Sequence, residues 1–130
     1  MREPQIRDFR KLALYQKGMV WIEEIREIVK GWSWEDKQVI GHQLLRSSSS
    51  VIANLVEGNG QLYLQKEINF INNALGSAAE SMMWFETAYK AGLMNQATFK
   101  RLDSEAIELR KMLVAMMKKI RVEIVDRKLA

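Results

Sequence analysis

Two stretches of the chain repeat apolar residues in alternating steps of four and three. Leu64, Ile68, Ile71, Leu75, Ala78, Met82, Phe85 and Tyr89 form one series, and Phe99, Leu102, Ala106, Leu109, Leu113, Met116 and Ile120 form the other. A mean step of about 3.5 keeps one apolar seam turned toward a partner helix at a shallow crossing angle. A strand would need period two, which neither stretch shows. Weaker versions of the pattern precede them: Leu12, Tyr15, Met19, Ile22 and Val29, then Ile40, Leu44, Val51 and Leu55.

Punctuation between the series is sparse, with one proline and seven glycines in 130 residues. Ser33 followed by Asp36 resembles a capping box at a helix start. Gly58-Asn59-Gly60 and Gly92 are plausible helix stops, and Asn95 can cap the last helix. The boundaries predict helices over about 9–30, 34–57, 62–91 and 96–124 in a single domain, 1–130, with fraying after about Val125. Short links between long helices make neighbours antiparallel. The expected fold is all-α, an antiparallel up-down-up-down four-helix bundle.

Charge is distributed unevenly along this order. Residues 1–17 carry five Lys/Arg against two acids, and residues 110–130 carry seven against two, while the net charge of the whole chain is only +4. The ends are basic and the middle acidic. In an up-down-up-down bundle the first helix begins where the last one ends. Arg2, Arg7, Arg10, Lys11 and Lys17 are therefore expected beside Arg110, Lys111, Lys118, Lys119, Arg121, Arg127 and Lys128. Such a cluster suits a polyanion such as RNA or RNA/DNA. Two second apolar faces, Leu14, Gly18, Trp21 and Ile25 on the first helix and Phe70, Ala74 and Trp84 on the third, predict self-association through Leu14, Trp21, Ile25, Phe70 and Trp84.

Several chemistries lack their residues. There is no cysteine and one histidine, so thiolate sites, two-histidine metal motifs and the inward Glu-x-x-His pairs of di-iron bundles are excluded. Ser47-Ser48-Ser49-Ser50 sits inside a helical pattern with His42 poorly placed as a base, so small residues permitting close helix approach are the better reading. Arg46, Asn54 and Glu57 border the second helix seam and are expected to join an acid such as Glu80 in a register-fixing network. No apolar run approaches the roughly 20 residues of a membrane span. The charged start, MREPQIRDFRK, lacks a secretory signal's apolar stretch, so the expected compartment is the cytoplasm. The expectation is a protein that is not an enzyme and takes no metal or cofactor.

Three segments carry a family likeness: Phe9–Lys17 (FRKLALYQK), Gln43–Gly60 (QLLRSSSSVIANLVEGNG) and Ala74–Glu80 (ALGSAAE). With Asn54, Glu57 and Gly58 as its N-x-x-E-G element, the chain resembles the four-helix-bundle proteins encoded within insertions of bacterial large-subunit ribosomal RNA genes. That fold family includes the accessory variability determinant of diversity-generating retroelements. The resemblance implies assembly into a homo-oligomeric barrel, commonly a pentamer with a positively charged surface or pore, without catalytic activity. In the retroelement branch it implies nucleic-acid binding and docking of a reverse transcriptase. An intervening-sequence protein without that role, or a purely structural protein-interaction module, are the alternatives. Leu45, Ile52 and Gln61 depart from the family pattern, which often has a basic residue, a proline and an arginine there, and this moves any nucleic-acid role from the Gly58–Gln61 turn to the terminal patch.

Overall fold

The computed structural model describes residues 7–129, so Arg2 lies outside the described residues. Among those residues there are four helices and no strand. Helix α1 is Ala13–Lys30. Helix α2 covers 34–59 as one rod: an opening turn Trp34–Asp36, a wider-wound π segment Lys37–Gly41, and a regular stretch His42–Asn59. Helices α3 and α4 are Leu64–Lys90 and Gln96–Leu129.

Local chemistry sets these ends. Asp8 accepts from the Arg10 amide at 3.0 Å and caps a short 3₁₀ turn, Phe9–Lys11. Leu12 is extended (φ −71°, ψ 128°), so α1 begins at Ala13 rather than near residue 9. Ser33 Oγ accepts from the Asp36 amide at 3.2 Å and donates to its carboxylate at 2.9 Å, closing the start of α2. Asn95 Oδ1 accepts from the Thr98 amide at 2.8 Å, satisfying a donor that the first turn of α4 would leave bare. Gly92 has φ +78°, the left-handed conformation that stops α3. Gly60 does not stop α2 this way: its φ is −81°. Gly58 instead lets α3 approach, because a Cβ there would lie 3.0 Å from Phe70 Cβ and 3.3 Å from Glu67 O. Helix α4 runs to Leu129, past the expected fraying point.

The core is filled by Trp21, Ile25, Leu44, Val51, Leu55, Ile71, Phe85, Leu102, Leu109 and Leu113, each under 2% exposed. Trp21 meets Phe85 edge to face, with centroids 5.9 Å apart, and its Nε1 donates to Leu102 O at 3.4 Å. The rotation of α1 corrects the sequence reading. Its buried face is Leu14, Gly18, Trp21, Ile22, Ile25 and Val29, and Met19, expected inside, is 36% exposed. Leu14, Trp21 and Ile25 are therefore core residues of the subunit, not a second face left for another copy. Gly18 places α1 so close to α2 that a Cβ would fall 2.1 Å from Ile52 Cδ1. That contact selects the face which packs inward.

The serine run serves the α2–α3 seam. Ser47 and Ser48 are fully buried. Ser81 Oγ donates to Ser47 Oγ at 2.9 Å, and Ser50 and Ser77 share a hydroxyl pair at the same distance. Contacts pair residues in opposite order: Ser47 with Ser81 and Ser50 with Ser77, Lys17 with Glu108 and Glu24 with Arg101. One end of the molecule is closed by Trp32, whose indole donates to Leu93 O at 3.0 Å. At the other end Leu12 and Ala13 share a cleft with Met112, Met116 and Lys119.

Candidate functional site

The expected basic residues divide by what they touch. Arg7 is held within the subunit: its guanidinium donates to Asn59 O and lies 3.5 Å from Glu67, a carboxylate whose residue is 2% exposed. Arg10 pairs with Asp8 at 3.2 Å and lies over the Phe9 ring at 4.8 Å. Lys17 pairs with Glu108 at 2.6 Å, and Arg127 with Glu123 at 3.1 Å. Arg7 is thus a structural residue, and the other three have part of their charge matched at home. Exposed pairs of this kind are weak, about 0–1 kcal/mol, and give way to a stronger anion.

Lys11, Arg110, Lys111, Lys118, Lys119, Arg121 and Lys128 form no ion pair among the described residues. Six of these seven lie on α4. Five of these six, all but Lys119, line three clefts along its junction with α3. The largest, about 540 Å³, is lined by Leu75, Ile107, Arg110, Lys111, Val114, Ala115 and Lys118. A second of about 390 Å³ lies between Ile68, Met117 and Arg121. The third, about 430 Å³, brings Tyr63 and Leu64 to Arg127 and Lys128. Among the described residues no carboxylate lines any of them. Arg110 is half-buried; its Nε is enclosed without a hydrogen-bond partner, and its Nη1 reaches only Met82 Sδ at 3.6 Å. The start of α1 joins the same pole, since Lys11 directly precedes the Leu12–Ala13 segment that lies against Lys119.

Three acids, Asp103, Glu105 and Glu108, lie nearer the start of α4. Burial pushes the Asp103 carboxyl up, and the charge of Glu86 adds to the shift. Burial likewise raises Glu105, aided by the charge of Glu24 and a hydrogen bond to it, with Arg101 and Lys17 opposing. Along α4, Asp103, Glu105 and Glu108 thus precede the six cations named above, which lie from Arg110 to Lys128.

The polar motif separates into parts. Arg46 is ion-paired with Glu80, which also accepts from the Trp84 indole at 3.1 Å. Asn54 turns back to its own helix, donating to Ser50 O at 2.8 Å and Ser50 Oγ at 3.1 Å. Glu57 is exposed and Gly58 buried against α3. Of the expected self-association residues only Phe70 and Trp84 keep partial exposure; larger apolar exposure lies at Trp34 (76%), Val20 (70%) and Val39 (61%). Sequence reasoning missed Asn59, Glu67 and Tyr63. Glu67 occupies a position of the buried series Leu64, Glu67, Ile71, Ala74, so a period count that admitted charged residues would have found it.

The described helices contain no group of three or more potential metal ligands and none long and apolar enough to cross a membrane. These features define an all-α protein with a cation-lined furrow on one flank. The model of the 23S rRNA-intervening sequence protein family matches residues 10–115, and the chain belongs to that family. A crystal structure of a protein of unknown function from the S23 ribosomal protein family of Bacteroides thetaiotaomicron superposes with a TM-score of 0.75 at 25% identity, covering 82% of this chain and 99% of that one. Among curated proteins none matches this sequence.

Proposed function

We propose that this protein is a non-catalytic, self-associating RNA- or RNA/DNA-binding accessory that works in the cytoplasm and holds its ligand on the cationic flank of α4. The observation that carries the reading is the row of α4 cations that have no acid partner among the described residues, around clefts that those residues line without a carboxylate. Phosphates are the abundant anions that match such a row, and attraction to them is largely independent of sequence. The up-down-up-down, antiparallel arrangement is part of the same reading. The opposed contact pairs support it, and it brings Lys11 and the second half of α4 to one pole. Membership of an rRNA-intervening sequence family accords with an RNA ligand, and in the retroelement branch the same flank would carry template beside a reverse transcriptase. Self-association draws support from the exposure of Trp34, Val39 and Met83 and the partial exposure of Trp84; a closed ring such as a pentamer would align several cationic flanks.

Filter binding with mixed-sequence RNA tests the reading. Replacing Lys118, Lys119 and Arg121 together with Gln is expected to lower the log–log salt slope by about 2–3, at roughly 0.7–0.9 per lost phosphate contact. Replacing the locally paired Lys17 with Gln is expected to leave the slope nearly unchanged. Equal affinity and slope for the wild type and the triple variant would remove the α4 flank as the site.

A further inference from the structure

The three clefts on the α3–α4 junction follow one stripe of α4: Ile107, Arg110, Val114, Met117, Arg121, Ile124 and Lys128 each line at least one of them. From the first to the last of these residues the stripe is about 30 Å long at ~1.5 Å per residue. Its composition alternates. Apolar side chains and cations interleave along it. At the far end Tyr63 is 55% exposed beside Arg127 and Lys128.

Resting on the RNA reading above, we infer that the furrow takes an unpaired strand, with Tyr63 as a stacking platform for one base. A duplex presents a wall of phosphates and would leave the apolar lining facing water. An unpaired strand presents phosphates to Lys111, Lys118 and Arg121 while its sugars and base faces cover Ile68, Val114 and Met117. Single-strand sites elsewhere combine these two elements: a positive groove that follows the backbone and an aromatic ring on which a base stacks. Tyr63 can serve because its ring is free. Its backbone carbonyl starts α3 by accepting from the Lys66 and Glu67 amides at 3.1 and 3.2 Å, while the side chain takes no part in that capping. The ring can therefore be removed without disturbing the helix start.

The test is fluorescence anisotropy on the full chain with a labelled mixed-sequence RNA of about a dozen nucleotides, free and annealed to its complement, at one salt concentration. The unpaired RNA is expected to bind at least tenfold more tightly. Tyr63→Ala is expected to weaken the unpaired strand by about fivefold or more and leave both the duplex affinity and the salt slope unchanged. Tyr63→Phe is expected to restore binding, since the ring rather than the hydroxyl stacks. Equal affinity for strand and duplex, or no effect of Tyr63→Ala on the strand, would overturn the furrow inference while leaving the RNA reading intact. Absence of RNA binding, including the case in which an acidic amphipathic peptide occupies the furrow instead, would overturn both.

Discussion

At the residue scale, the sequence shows which side chains are apolar but not which small residues are forced to be small. Gly18 reads as one member of an apolar face, yet its missing Cβ sets the distance between α1 and α2. Gly18→Ala should destabilise the fold by about 1–3 kcal/mol as Ile52 is displaced in a filled core, measurable as a lower urea midpoint. Arg7 illustrates the opposite error. It counts toward a basic end in the sequence, but folding commits it to Asn59 and Glu67, residues more than 50 positions away. No local pattern carries that information. Arg46 and Glu80 were easier, because both border the seam that periodicity defines. The raised Glu105 carboxyl gives a pH prediction. A carboxyl raised by burial and by Glu24 favours the folded state when protonated, so that contribution is present below the ordinary carboxylate range and is lost as pH rises through the raised one. Glu105→Gln should therefore raise the thermal midpoint at neutral pH and make no difference near pH 3. An equal gain at both pH values would reject the electrostatic explanation.

Helices as elements were legible because their signals are local. The 3.5 step of the α3 and α4 series, the Ser33–Asp36 box, Gly92 and Asn95 all act within a turn or two, and each occupies the position its chemistry suggests. Asn95→Ala should cost about 0.5–2 kcal/mol, since the Thr98 amide loses its acceptor. What a one-dimensional period cannot fix is rotation. Helix α1 offers two apolar faces, and the buried one is decided by Gly18 against Ile52 and by Trp21 reaching Phe85 and Leu102 O. The sequence reading placed the Trp21 face outward for that reason. The π segment Lys37–Gly41 was equally hidden: no residue type announces it, although Gly41 there lets Val29 come within 2.7 Å of where a Cβ would stand. Leu109→Ala, at a fully buried α4 position, should cost about 2–5 kcal/mol.

For the whole molecule, charge gathers by topology. Residues remote in sequence meet where the start of α1 lies against 112–119 of α4 and where Tyr63 reaches Lys128. The sequence predicts a cationic pole but cannot divide its charges into matched and unmatched ones, because that division depends on acids brought from other helices: Glu108 to Lys17, Glu67 to Arg7. Light scattering should return a multiple of the 15.1 kDa chain mass, and Trp34→Ala should reduce it if the exposed apolar end is the contact; a monomeric wild type would contradict self-association. The RNA claim is tested most directly by the salt dependence of wild-type affinity for a short unpaired RNA. Engagement of most of the unmatched cations corresponds to a log–log slope steeper than about −3 at roughly 0.7 per contact, whereas a slope near zero would contradict phosphate binding on the α4 flank.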